Sequence, residues 1–354
     1  MILFRGLLLA ALVAFVVALV GWLVFVPRRP LPTGPWAVGR IDVVLRDPED
    51  GPLSLTIWYP ASGQAGGSAV EGARFAARVP APLILYSPGW GGTRTQSSSQ
   101  TENLASHGFV VVGCDDISSD PATDPDKGSE LDFSSDKATA ETIDRGGRHA
   151  LIQARRLLAV LHALETSQIP QLAGRLNLAR VGALGYSAGG SAALQAALLD
   201  PRIVAVVNLD GALFGATAEQ TGSNAYFLLS SDEAFPSAAE LTSPDPFTRN
   251  YAKFSERDLP LNAERMNQTD NGWVLLQGAR HPDLADGLFV MSRHSLFRTN
   301  RERHRLDAAL RDFEVAFFDS TLLGNPAPLA ALRKHPMPPA RWVDPHAAAL
   351  GTPG

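Results

Sequence analysis

The chain has 354 residues, 45% of them apolar and 19% charged, which is room for one large α/β domain or two small ones. Its net charge of −5 gives no electrostatic footprint for nucleic acid. Cys114 is the only cysteine, which excludes an intrachain disulfide and any CxxC redox or zinc motif.

In chain order, the first predicted element is an uncharged run of twenty residues from Leu7 to Val26, the length that crosses a bilayer as a helix. Trp22 and Phe25 suit the interface, and Arg28-Arg29-Pro30 stop the run. A cleavable signal peptide would carry a shorter apolar region and an A-x-A-like site, so residues 1–26 are read as an uncleaved membrane anchor. Residues 27–40 are a Pro-rich tether, which suits display of the rest of the chain outside the cytoplasm.

Strands are predicted at Ile41–Leu45 and Leu53–Trp58, then a Gly/Ala-rich loop over 61–80. Leu83–Ser87 is a continuous apolar run, as in a buried parallel strand, and ends in Pro88-Gly89-Trp90-Gly91-Gly92. That loop can bring backbone N–H groups close to a ligand. A helix over 98–107 and a strand at Phe109–Gly113 come next. Residues 115–144 are polar and acidic and read as a solvated loop; Asp124–Gly128 lacks the spacing of a calcium loop. Leu151, Leu157, Leu158, Leu161 and Leu164 then repeat at helical spacing. Further strands are read at Ile203–Leu209, Ala225–Ser230 and Val274–Gln277, with a last helix over 303–323 and a Pro/Ala-rich tail over 326–354. This alternation predicts an α/β fold over 41–325, a mostly parallel sheet flanked by helices.

The most informative stretch is Gly185-Tyr186-Ser187-Ala188-Gly189, between an apolar strand and a small-residue helix. A strand-to-helix corner that sharp leaves little room for side chains two residues either side of the serine, and it lifts the hydroxyl clear of the sheet. It also puts the Ala188 N–H at a helix N-terminus, able to face a developing oxyanion. A serine hydroxyl needs a histidine to take its proton and a carboxylate to hold that histidine. Five histidines follow Ser187, and only His281 lies directly past a strand; His294 and His304 fall near or in the last helix, His335 and His346 in the tail. Two aspartates end strands between them, Asp210 and Asp232, and spacing alone does not choose.

Ser187-Ala188-Gly189-Gly190, Leu209-Asp210-Gly211 and Gly278-x-x-His281 with Asp286 beyond resemble the platelet-activating-factor acetylhydrolases and their bacterial α/β-hydrolase relatives. So do Pro82–Gly92 and the run Leu104-Ala105-Ser106-His107-Gly108-Phe109. The resemblance, over residues 52–325, implies an α/β-hydrolase fold with Ser187 as nucleophile, His281 as base and Asp210 as acid. It places the oxyanion donors on the backbone N–H groups of Trp90 and Ala188. Relatives usually carry His-Gly where this chain has Pro88-Gly89, and often a histidine where it has Tyr186.

The resemblance implies a short-acyl serine carboxylic-ester hydrolase without metal or organic cofactor, acting on a small-molecule ester or a phospholipid acetyl ester. Dienelactone-hydrolase-like proteins and polyester-degrading cutinases are broader relatives and give the alternative substrates. A hydrolase fold retained as a membrane-anchored binding module is the reading from another class. The full set of serine, acid, histidine and glycines argues against it.

Overall fold

The computed structural model describes residues 24–47, 51–76, 79–119, 131–268, 270–292 and 298–354, with 13, 15, 16, 19, 21 and 22 besides. Most of the expected anchor and the Asp124–Gly128 stretch lie outside these residues. Among the described residues no helix is long and apolar enough to cross a membrane.

Among them ten strands form one sheet: β1 (Ala37–Asp47), β2 (Gly51–Ala61), β3 (Val70–Glu71), β4 (Ala81–Ser87), β5 (Val110–Cys114), β6 (Leu176–Tyr186), β7 (Ile203–Leu209), β8 (Ala225–Ser230), β9 (Gly272–Leu276) and β10 (Ala340–Trp342). The spatial order is β10-β9-β8-β7-β6-β4-β5-β2-β1-β3. From β5 through β4 and β6 to β9 every pairing is parallel, as is β1 with β3, while β1–β2, β2–β5 and β9–β10 are antiparallel. The central strands are covered on both faces, which is why they read as unbroken apolar runs.

Six helices matter to the argument: α1 (Ser98–Ser106), α2 (Asp136–Glu165), α3 (Ala188–Leu199), α4 (Pro246–Arg265), α5 (Asn300–Leu323) and α6 (Ala327–Lys334). Leu83 and Leu85 of β4 join Leu157 and Leu161 of α2 in one core, while Ile84 and Tyr86 point the other way into a core with Phe313, Phe317 and Phe318 of α5. The period of two along the strand thus sorts side chains between two helical layers. A Thr299/Glu302 capping box starts α5, and Gly324, in the left-handed region at φ 69, ends it.

Three sequence expectations change. The acidic stretch 115–144 is not one solvated loop: Asp116 is buried, and α2 starts at Asp136 with the Ser135 side chain accepting from Ala138 N–H. The inward face of its first turns is Thr142, Gly146, His149 and Gln153, so no apolar period marks it. The segment read as a tail packs instead: β10 pairs with β9, and Trp342 meets Phe227 and Phe313 edge-on at 5.7 and 5.6 Å. The segment read as a tether is tied to the body. Arg29 meets Glu102 at 2.6 Å and Asp286 at 3.6 Å, Gly34 N–H donates to Ser106 Oγ at 3.0 Å, and β1 already begins at Ala37.

Candidate active site

The β6–α3 corner holds Ser187 at φ 54 and ψ −126, a backbone conformation that a residue with a side chain occupies only under constraint. Close packing supplies the constraint. A Cβ on Gly185 would lie 2.0 Å from the Gly189 carbonyl oxygen, and one on Gly189 would lie 2.2 Å from that of Ser87. Ser187 N–H donates to the Leu209 carbonyl at 2.9 Å, which ties the corner to the end of β7.

His281 comes after β9 and stands over this corner. Its Nε2 lies 2.9 Å from Ser187 Oγ and its Nδ1 lies 2.9 Å from Asp210 Oδ2. Asp210 Oδ1 accepts from Ser231 N–H at 2.8 Å and Oδ2 from the Ser231 hydroxyl at 2.7 Å. Asp210 is also in the left-handed region, at φ 55. Asn208 holds that turn by accepting from Gly211 N–H at 2.8 Å and donating to Gly211 O at 2.9 Å. The structure brings Ser187, His281 and Asp210 into one hydrogen-bonded line.

Asp232 stands apart, its carboxylate accepting from Gly278 N–H at 2.8 Å. His304 Nε2 lies 2.9 Å from the Arg28 carbonyl, and His294 lies outside the described residues.

Burial alone would raise the pKa of Asp210, but the hydrogen bond and charge of His281 and the two bonds from Ser231 outweigh it and hold the carboxyl below its ordinary value. Burial would lower His281, and the Asp210 carboxylate, with Glu233 beside it, raises it instead. The pair is therefore set for an ionised acid and a histidine that accepts a proton readily.

In the β4–α1 loop Gly89 N–H donates to Gln96 Oε1 at 2.9 Å, Gly91 N–H to Asp116 Oδ1 at 2.9 Å, and Gly92 N–H to the Gly89 carbonyl at 2.8 Å. Each of these neighbours is occupied, while Trp90 N–H and Ala188 N–H have no protein acceptor among the described residues. A cleft of about 200 Å³ opens beside Ser187, walled by Trp90, Leu131, Phe214, Tyr251, Phe254 and Trp273.

Two of these walls come from α4, which the sequence reading passed over. Its inward face carries Asn250, Asp258 and Asn262 and its middle holds Pro260, so the apolar pattern is weak. The available signal was Asp245-Pro246: Asp245 accepts from Thr248 N–H at 2.9 Å as a cap, and proline takes the first helical position.

Among solved structures the chain matches a ferulic acid esterase from Streptomyces cinnamoneus with a TM-score of 0.60, covering 89% of this chain and 98% of that one at 22% identity. The fold is that of an α/β-hydrolase. Within it, residues 52–120 match the family of platelet-activating factor acetylhydrolase, isoform II. A probable 1-alkyl-2-acetylglycerophosphocholine esterase from Arthroderma benhamiae is 34% identical over 140 residues, 38% of this chain and 32% of that protein. A cutinase of Thermobifida alba is 26% identical over 190 residues, 51% of this chain and 50% of its own. The chain thus spans a third to a half of the curated relatives it matches. The resemblance noted in the sequence is met by the family match, by an esterase relative and by the hydrolase fold.

Proposed function

We propose that this α/β-hydrolase is a serine carboxylic-ester hydrolase. The observation that carries the reading is the line Asp210–His281–Ser187, closed by two contacts of 2.9 Å and opening on a cleft. Ser187 Oγ attacks the ester carbonyl carbon while His281 Nε2 takes its proton. Asp210 holds the imidazole and stabilises its protonated form. The carbonyl oxygen, now negative, faces the N–H groups of Ala188 and Trp90, each worth about 2.7–4 kcal/mol of barrier in a site of this kind. His281 returns the proton to the leaving alcohol, and water then repeats the sequence on the acyl-enzyme.

The substrate in this proposal is a short-acyl ester, an acetyl ester of a phospholipid-like alcohol among them. The aromatic walls and a volume of about 200 Å³ support it, being small beside the roughly 300 Å³ and more of clefts that take drug-sized ligands. The proposal also includes a membrane anchor at Leu7–Val26 with the catalytic domain outside the cytoplasm, on the strength of that uncharged apolar run.

The test is a fluorophosphonate probe with p-nitrophenyl esters of graded chain length. Wild type is expected to label and Ser187→Ala to lose labelling with its fold intact; labelling that survives in folded Ser187→Ala removes the nucleophile. The wild-type kcat/KM is expected to peak at or below about four acyl carbons, and Trp90→Ala to move the peak to longer chains. A wild-type optimum near eight carbons overturns the short-acyl reading.

A further inference from the structure

The loop that presents Trp90 is rich in glycine and has little stiffness of its own; Gly91 sits at φ 67. What stiffens it is a second histidine–carboxylate pair, outside the Ser187 line. Asp116 is 1% exposed and lies just beyond β5. Its Oδ1 accepts from Gly91 N–H at 2.9 Å and from Ser118 N–H at 3.0 Å, and its own N–H donates to the Gly92 carbonyl at 3.1 Å. One residue therefore grips the loop at two successive residues, Gly91 and Gly92. His149, from α2 and 3% exposed, places Nε2 3.1 Å from Asp116 Oδ1 and 2.8 Å from Oδ2. Its ring lies flat on the Trp90 indole, with centroids 4.0 Å apart and planes 11° from parallel.

These contacts reach both the backbone and the ring of Trp90, a residue that lines the cleft. The Gly89 carbonyl and the Trp90 N–H belong to one trans peptide and point in opposite directions. With Gly92 N–H holding that carbonyl and Asp116 holding Gly91 and Gly92, the Trp90 N–H is fixed in aim. Trp90 lines the cleft, and its indole, stacked on His149, cannot turn without losing the stack.

We propose that Asp116 and His149 are positioning residues for acyl transfer: Asp116 aims the Trp90 N–H at the developing oxyanion, and His149 fixes the indole as the wall that limits acyl length. The proposal rests on the serine-hydrolase reading. A donor aimed only at the oxyanion matters more to the tetrahedral species than to bound ester, so its loss falls on kcat. Misplacement of such a group by about 1 Å costs on the order of 100-fold.

The experiment uses the full chain with Asp116→Asn, His149→Phe and His149→Gln, p-nitrophenyl esters of graded length, and an acyl trifluoromethyl ketone, which adds to a serine as a tetrahedral oxyanion. Asp116→Asn is expected to lower kcat about 10- to 100-fold with KM nearly unchanged, and to weaken the ketone by the same factor as kcat/KM. His149→Phe, which keeps a flat ring on Trp90, is expected to retain the wild-type chain-length optimum, and His149→Gln to shift it to longer acyl groups. Folded Asp116→Asn with wild-type kcat and ketone affinity overturns the role of Asp116. An unchanged optimum in His149→Gln overturns the role of His149, and that arm stands alone should Asp116→Asn not fold. A wild-type protein that neither hydrolyses these esters nor binds the ketone overturns the serine-hydrolase reading instead.

Discussion

Asp210 and Asp232 each come at the end of a strand, and what each carboxylate accepts separates them. Asp210 takes His281 Nδ1 and both Ser231 donors, whereas among the described residues Asp232 takes only the Gly278 N–H. Asp210→Asn is expected to lose about 10⁴-fold in kcat, because an amide there holds the wrong histidine tautomer. Asp232→Asn is expected to change turnover little, and the reverse pattern in measured kcat would move the acid to Asp232. The pH profile gives an independent reading. His281 must be neutral to take the serine proton, and its pKa is raised above 6.5 because Asp210 and Glu233 outweigh burial. The rising limb of kcat/KM is therefore expected above pH 6.5, and in residual Asp210→Asn activity it is expected to move to lower pH, since burial then acts with less opposition. A limb that does not move would detach Asp210 from the titration. Ser187 and His281 were legible as candidates because each comes just past a strand. Asp116 and His149 carry no such mark, because Asp116 lies in an acidic run and His149 stands on a polar turn of α2 ahead of Ser187.

At the scale of elements, the central strands were legible and parts of the helices were not, for one reason. Central strands bury both faces and must be apolar throughout, while α4 and the start of α2 turn Asn, Asp, Thr, His and Gln inward to hold the site. The segment 27–36 misled in another way: its prolines forbid a helix but not docking. Thr33 N–H donates to Asn103 Oδ1 at 3.0 Å, Trp36 N–H to the Ser106 carbonyl at 3.0 Å, and Arg311 to the Leu31 carbonyl at 3.0 Å. Arg29 also reaches Asp286, which lies in the loop that carries His281. Burial pushes Asp286 up to about 6, with Asp307 and Glu102 adding and Ser99 N–H and Arg29 opposing. A carboxyl raised in the folded state favours folding most below its unfolded value of 3.8, and that contribution is lost as pH rises towards about 6. A chain beginning at residue 37 is therefore expected to melt about 5 °C or more below one beginning at residue 26, with the gap widening from pH 4 to pH 7 as Asp286 ionises without Arg29. Equal melting temperatures at both pH values would show that the segment contributes nothing.

On the scale of the whole molecule, the docked segment fixes where an anchor would leave the domain. Asn300 donates to the Val26 carbonyl at 2.8 Å and accepts from Arg28 N–H at 3.2 Å, so the chain meets the body at the start of α5 as soon as the apolar run ends. Val13, Phe15, Val16, Leu19 and Trp22 stand exposed, an arrangement that costs free energy in water and suits acyl chains. A span at Leu7–Val26 would thus hold the folded domain against the bilayer surface instead of at the end of a loose linker. The full chain is expected to stay with membranes through an alkaline carbonate wash and to be released only by detergent, and a chain beginning at residue 26 to be recovered in the soluble fraction with its esterase activity. Release of the full chain by carbonate would remove the anchor. The orientation has its own test in reporter fusions at the C-terminus, where a reporter active only outside the cytoplasm is expected to work. Activity of a cytoplasm-only reporter there would reverse the orientation while leaving the anchor in place.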